Sequence, residues 1–163
     1  MSGIPTTLKA LHDGERRLEH DLLAAAERHR TEPEVHHVAT DVARWSRESA
    51  ALIAALAPHY GLDLSGQTAD PGPGLWATVR EKTAEALGRR PETGLLLLHD
   101  LRDLHLAATE NSLHWDMLTG AAQAGRDTDL LGLVTCCHPR TLRQMRWTST
   151  MIRILSPQLL TSI

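Results

Sequence analysis

Residues 8–29, LKALHDGERRLEHDLLAAAERH, have the pattern of one long amphipathic helix. Their apolar side chains recur at intervals of three, four and seven residues, at Leu8, Leu11, Leu18, Leu22 and Ala25. This spacing places them on one side of an α-helix, which repeats every 3.6 residues. A single acidic residue, Glu15, interrupts the stripe. The stretch therefore predicts a helix from about Thr7 to His29 with one carboxylate on its inner face.

The next segments predict a second helix and then an irregular connection. Thr31-Glu-Pro-Glu34 has the pattern of a capping box, so the second helix is predicted to begin there and to end near His59, before Gly61. Residues 61–74 contain four glycines and two prolines, which is typical of a loop. The inner stripe of the second helix is predicted to comprise Val38, Val42, Trp45, Ser49, Leu52 and Leu56.

Two further long helices are predicted in the second half of the chain. A short helix at 75–87 precedes a helix that opens near Pro91 and continues to about Gln123. Asp127 can cap a last helix running towards Leu155. Pro139 should kink or split that last helix, and Pro157 should mark its end. The whole chain, residues 1–163, is thus predicted to be one all-α domain: hairpin 7–59, crossover 60–90 and hairpin 91–155.

Composition excludes several classes of function. The chain has 163 residues and a formal net charge of −3, with basic and acidic residues mixed along it, so we expect no binding to nucleic acid. We also expect no membrane association, because no apolar run approaches a bilayer's thickness. Cys136 and Cys137 are sequence neighbours and cannot staple the fold, and residues 1–17 have no apolar leader segment. A cytoplasmic location is the expectation.

Five residues near the middle of their predicted helices are candidate metal ligands. Tight turns set the register of each hairpin, so Glu15 is level with Glu48, and Glu110 is level with His138. His114 lies one turn from Glu110 on the same face. Carboxylates and imidazoles that converge inside a bundle are how helical proteins bind metal ions. The alternative is that Arg16, Arg44 and Arg47 neutralise these carboxylates in ion pairs.

Two other patterns give weaker support for a metal site. Glu34 and His37 have the Glu-x-x-His spacing of di-iron bundles, but they lie in a first helical turn where capping already explains Glu34. Cys136 and Cys137 point about 100° apart on a helix, so they are poorly placed to ligate one ion. The sequence has no Gly-rich phosphate loop, Gly-x-Ser-x-Gly or Cys-x-x-Cys motif. The sequence therefore offers little support for an enzyme.

Stretches in both hairpins resemble the ferritin-like superfamily, in particular the small bacterial stress-induced ferritin-like proteins. The resemblance lies in residues 8–29, in 43–61 (ARWSRESAALIAALAPHYG) and in 101–125 (LRDLHLAATENSLHWDMLTGAAQAG). The triplet His114-Trp115-Asp116 is similar to the His-aromatic-acid run that follows a ligand Glu in that branch. The resemblance implies a ferritin-like four-helix bundle with a long crossover.

Two departures affect the chemistry that this resemblance implies. Leu113 stands where the family has a metal-binding Glu, and no Asp or Glu follows Asp129. A four-carboxylate, two-histidine di-iron centre cannot be assembled from these residues, so we expect no cofactor and no ferroxidase activity. A reduced site holding Fe, Mn or Zn, built from Glu15, Glu110, His114 and His138, is the alternative.

The leading hypothesis is a ferritin-like structural, interaction or stress-related protein that forms a homodimer. The prediction of a homodimer depends on apolar side chains in excess of what one inner face can bury. They are Leu95, Leu96, Leu106, Trp147 and Ile152. The rival hypothesis is a metal-binding protein with a mononuclear or di-metal site in the bundle core.

Overall fold

The computed structural model describes residues 3–66 and 93–161, and these ranges are all-α. The long helices are α1 (Ile4–Arg28), α2 (Pro33–Leu56), α3 (Thr93–Gly125) and α4 (Thr128–Thr161). A short 3₁₀ helix, Ala57–Tyr60, continues α2 until Gly61, whose φ of 74° ends it. The helix predicted at 75–87 and most of the predicted crossover lie outside the described residues.

The four helices pack as two antiparallel hairpins around a shared core. In the first hairpin, Arg47 Nε of α2 donates to Glu19 Oε1 of α1 at 2.8 Å. In the second, Ser112 Oγ of α3 and His138 Nε2 of α4 are hydrogen-bonded at 2.9 Å. Helix α1 also packs against α3, and α2 against α4. Both hairpin registers agree, to within about one helical turn, with the levels predicted from the sequence.

Because α1 neighbours α2 and α3, and α4 neighbours the same two helices, α2 and α3 lie diagonally across the core. One end of the molecule is marked by a hydrogen bond from Tyr60 Oη to Asp127 Oδ2. The other is marked by His29 Nε2 and Asp100 Oδ2, 2.7 Å apart. Helix α2 therefore ends at one end of the molecule, and α3 begins at the other.

The core extends along the full length of the helices. Near the Tyr60 end, Trp115 is fully buried among leucine and isoleucine side chains that include Leu8, Leu11 and Ile53. The predicted inner stripe of α1 is confirmed, since all its members, Glu15 included, are buried. Within the described ranges, none of the helices combines the length and the apolar content needed to cross a bilayer.

The buried face of α2 differs from the predicted stripe. Leu52 is 41% exposed, and Val38 and Trp45 are only partly buried. The pattern of large apolar residues was misleading because α2 turns its small side chains towards α1, which lets the two helices approach closely. The residues that α2 buries are Val35, Ala39, Val42, Ala43, Ser46, Ser49, Ala50 and Ile53.

The predicted capping box at Thr31 is wrong. Helix α2 begins at Pro33 with Glu32 as its N-cap, and no side chain caps it. Proline is favoured at the first position of a helix, because its missing N–H is not needed there and its φ is already helical. Because the helix begins at Pro33, Thr31 lies one residue before the N-cap position, so its hydroxyl cannot cap the helix.

The last helix does not split at Pro139, and it does not end at Pro157 as the sequence predicted. Helix α4 continues through both Pro139 and Pro157. Both prolines are exposed, as are Thr135 and Arg153, the residues whose carbonyl groups lose an N–H partner. On the exposed side of a helix, carbonyl groups can bond to water, so the helix tolerates the missing hydrogen bonds. Packing of Leu159 against Gly94 of α3 also favours extension beyond Pro157.

Gly14 lies where α1 and α3 pack closely together, and it gives a first prediction. A Cβ atom at this position would lie 2.2 Å from Asn111 Oδ1, whereas one at the exposed Gly120 would meet nothing within 4 Å. We expect Gly14→Ala to lower the free energy of unfolding by about 1 kcal/mol despite its better helix propensity. Gly120→Ala should raise it by about 0.5–1 kcal/mol.

Urea unfolding followed by circular dichroism measures both effects. Adding Asn111→Ala to Gly14→Ala should remove the clash, so the two changes should be non-additive. Equal stabilisation by the two glycine substitutions would show that α1 and α3 are not in close contact at this level.

Candidate functional site

Within the described ranges, Glu15 of α1 is the one carboxylate buried where side chains of the other three helices converge. Only 1% of Glu15 is exposed. Trp115 Nε1 of α3 donates to Glu15 Oε1 at 3.4 Å, and Thr141 Oγ1 of α4 donates to the same atom at 3.5 Å. Ser46 of α2 supplies a further hydrogen bond. Each of these contacts is with a neutral group. Glu15 therefore does not form the ion pair that its neighbouring arginines had indicated.

Burial raises the pKa of Glu15 to about 7, and the hydrogen bonds from Ser46, Trp115 and Thr141 oppose this rise. Hydrogen bonds of 3.4–3.5 Å are weak, which explains why they compensate only part of the lost hydration. At neutral pH a large fraction of this carboxyl is protonated. A protonated carboxyl needs no cation, and it can itself donate a hydrogen bond.

The polar layer around Glu15 extends along α4. The buried Gln144 donates through Nε2 to both Val42 O and Ser46 Oγ, each at 2.9 Å. Thr148, also buried, donates to Gln144 O at 3.2 Å. These residues were not predicted from the sequence, although Thr141, Gln144 and Thr148 recur at intervals of three and four. Uncharged polar residues with the spacing of a helical core face were the available signal.

The two cysteines lie on different sides of α4, as their 100° separation predicts. Cys136 is exposed, whereas Cys137 is fully buried beside Ser49. Burial raises the pKa of the Cys137 thiol to about 11, and the neighbouring Glu15 carboxylate adds to the rise. The thiolate is the nucleophile and the metal-binding form, so Cys137 acts as a small apolar side chain in the core.

The other predicted carboxylate ligands point away from Glu15. Glu48 Oε2 accepts from Arg140 Nη1 at 2.6 Å on the surface between α2 and α4. Glu110 is exposed on α3. Their neighbours in sequence, Ser49 and Asn111, are the residues that turn inwards. The register prediction was therefore correct in level, but these two side chains are rotated out of the core.

The predicted histidines lie on α3 and α4 without meeting the carboxylates. His114 is half-buried, and its Nδ1 atom is buried without a hydrogen-bond partner in the described ranges. His138 Nε2 is 2.9 Å from Ser112 Oγ, and its Nδ1 is 3.9 Å from Asp116 Oδ1. In the described part of the chain, no three His, Cys, Asp or Glu side chains are close enough together to hold a metal ion.

Ser112, His138 and Asp116 have the residue types of a hydrolase triad, but their surroundings do not support that chemistry. Ser112 is only 6% exposed, and it lies within α3, where backbone N–H groups are used by the helix. A tetrahedral intermediate would find no backbone donors to stabilise its oxyanion there. The 3.9 Å separation of His138 from Asp116 also exceeds hydrogen-bond distance. These residues serve α3–α4 packing.

A second buried polar group, unanticipated from the sequence, joins α1 to α3 at the end where α3 begins. His29, 1% exposed, donates through Nε2 to Asp100 Oδ2, and Arg28 Nε donates to the same oxygen at 3.1 Å. Burial alone would raise the pKa of Asp100, but the hydrogen bond from His29 and the charge of Arg28 outweigh it and lower that pKa. Unlike Glu15, Asp100 is thus stabilised in its ionised form.

Comparisons with known proteins add no relative to this description: no family model, curated protein or solved structure matches the chain significantly. The residues of the site themselves determine its chemistry. They form a layer of neutral hydrogen-bonding groups around one protonatable carboxyl, with a separate ionised Asp–His–Arg group at one end of the molecule.

The raised pKa of Glu15 predicts a stability that falls with rising pH. The folded protein holds this proton up to pH 7, whereas the ordinary pKa of the group is 4.5. Its contribution is therefore fully present below pH 4.5 and is lost as the pH rises through 7. Glu15→Gln should remove this dependence and raise the free energy of unfolding at pH 8 by up to about 3 kcal/mol.

Urea denaturation of both proteins between pH 4.5 and 8.5 tests this. Glu19→Gln, at the partly exposed acid that pairs with Arg47, is the matched control and should leave the pH dependence unchanged. If Glu15→Gln destabilised the protein equally at every pH, Glu15 would be ionised in the fold.

The Asp100 group should depend on pH in the opposite sense. Because the pKa of Asp100 is lowered in the fold, its contribution is present above its ordinary pKa of 3.8 and is lost as the pH falls below that value. At pH 7, Asp100→Ala should lower the free energy of unfolding by about 2–3 kcal/mol, because it leaves the buried His29 without an acceptor. The difference from the unsubstituted protein, measured by thermal unfolding, should shrink near pH 3; a constant difference would contradict this assignment.

Proposed function

We propose that this chain is a ferritin-like four-helix bundle without a di-iron centre, which acts through its surface as a structural, interaction or stress-related protein and forms a homodimer. The helix arrangement supports the ferritin-like part of the proposal. Two antiparallel hairpins in which α2 ends and α3 begins at opposite ends require a long crossover between them, as in the ferritin-like connectivity. The chain's own stretches of resemblance fall in both hairpins.

One observation carries the proposal that the di-iron centre is absent. At the level where the four helices meet, Glu15 is surrounded by Ser46, Trp115 and Thr141, none of which is a carboxylate or an imidazole. A di-iron centre in a bundle needs carboxylates from several helices together with two histidines. Glu48 is paired with Arg140, and Glu110 is exposed. These residues do not fit the metal cluster.

A reduced metal site is the second candidate, and one observation favours it. The Nδ1 atom of His114 is buried without a hydrogen-bond partner in the described ranges, which leaves one imidazole nitrogen available as a ligand. Glu110 and His138 would have to rotate towards it to complete a site for Zn²⁺, Mn²⁺ or Fe²⁺. Such a rotation would break the hydrogen bond between His138 and Ser112.

Metal analysis separates these two functions. After the untagged protein is purified without chelator and exposed to Fe²⁺, Mn²⁺ and Zn²⁺, we expect inductively coupled plasma mass spectrometry to find well under one ion per chain. Glu110→Ala and His138→Ala should leave that content unchanged. A near-stoichiometric ion that both substitutions remove, with Glu48→Ala as the control that keeps it, would replace our proposal with the reduced metal site.

A further inference from the structure

Large apolar side chains that remain exposed are concentrated on one half of the molecule. Within the described ranges there are nine of them, and seven lie on α3 and α4. The other two, Leu23 and Leu52, are isolated on α1 and α2. Single exposed leucines are common on protein surfaces, but a group on adjoining helices is characteristic of an interface.

Three of the seven form a stripe along the outer side of α3. They are Leu106, Leu113 and Met117, which are 59%, 55% and 59% exposed. Intervals of seven and four residues place them on one line along the helix, over a length of about 16 Å. Gly120 and Ala124 continue the same line with small side chains. A neighbouring helix could therefore approach this end of the stripe closely.

Helix α4 contributes two more residues to the same face. His138 contacts Ser112 of α3, and Leu142 and Leu131 lie four residues after it and seven before it, on the same side of α4. The antiparallel register then places Leu142 near the level of Leu106 and Leu131 near that of Met117. We define the α3–α4 face as Leu106, Leu113, Met117, Leu131 and Leu142.

The charges around the α3–α4 face are self-complementary. Asp100 of α3 is buried against α1, and Arg140 of α4 is paired with Glu48 of α2, so neither belongs to this face. Glu110 and Asp116 are exposed on α3, and Arg143 and Arg146 are exposed on α4. A partner for this face should itself present an acidic helix beside a basic one, and a second copy of the chain does so.

We infer that the α3–α4 face is the surface through which two copies of this chain associate. Rotation about a two-fold axis parallel to the helices places α3 of each copy over α4 of the other. This rotation preserves levels along the helices, so Glu110 of one copy comes within about one turn of Arg143 of the other. The apolar side chains lie between these charged edges, as in interfaces with a hydrophobic core and a polar rim.

This inference rests on the homodimer in the proposed function and corrects the surface expected from the sequence. Trp147 and Ile152 pack partly buried against the chain's own core, and Leu95 and Leu96 are half-buried. Among the five residues from which the sequence predicted a dimer, Leu106 alone is exposed, at 59%. It is also the one that belongs to the α3–α4 face.

Sedimentation velocity on the full chain tests the inference. We expect the wild-type chain to be a dimer at about 50 μM. Leu113→Arg should raise the dissociation constant of the dimer at least tenfold and leave the helical content unchanged, because Leu113 is exposed. Leu52→Arg, on the exposed side of α2, is the matched control and should leave the dimer intact. Glu110→Arg and Arg143→Glu should each weaken it, and together they should restore much of the loss.

The outcomes of this experiment distinguish an error in the α3–α4 face from an error in the proposed homodimer. A dimer that Leu113→Arg does not weaken would overturn the α3–α4 face and leave a homodimer formed elsewhere. A monomeric wild-type chain at 100 μM would overturn both this surface and the homodimer, and would point to a different protein as the occupant of the face. Neither result affects the proposed absence of a di-iron centre, which is tested separately by the metal content of the protein.

Discussion

A carboxyl group removed from water must take up a proton, meet a cation or be surrounded by hydrogen-bond donors. Glu15 combines the first and third of these solutions, and the surrounding helices are arranged accordingly. Its donors come from α2, α3 and α4. Each of those helices must therefore present a neutral polar side chain at the same level, which restricts both its rotation and its position along the bundle axis.

The same constraint explains why small residues line the inner side of α2. Ser46 can reach Glu15 only if α2 lies close to α1, and Ala39, Ala43 and Ala50 permit that distance. Larger residues such as Trp45 are displaced to the edge of the helix. Gln144 completes the arrangement from α4 by bonding both the backbone and the hydroxyl of this part of α2. The contacts around Glu15 thus link three helices to α1 without an ion pair.

The helices could be predicted from the sequence because apolar spacing of three and four residues is a strong signal over twenty residues or more. Levels within each hairpin followed from the short turns. Rotation about the helix axis did not follow, since neighbouring residues point about 100° apart. Glu48 and Glu110 were expected inside, but Ser49 and Asn111 lie there instead. Local signals also failed where two competed, as when Pro33 set the start of α2 in place of the Thr31 capping box.

The two hairpins are held together differently in the middle and at the ends. Asp127, which accepts from Tyr60 and from Leu130 N, has a lowered pKa because of these hydrogen bonds, and the pKa of Asp100 is lowered at the opposite end. Acid therefore weakens the contacts at both ends while it favours the protonated Glu15 between them. Alkaline conditions ionise Glu15 and weaken the centre, whereas Asp100 and Asp127 are already ionised at neutral pH. Acid and base therefore act on different parts of the molecule: acid lowers the free energy of opening at the two tips, and base lowers it at the centre.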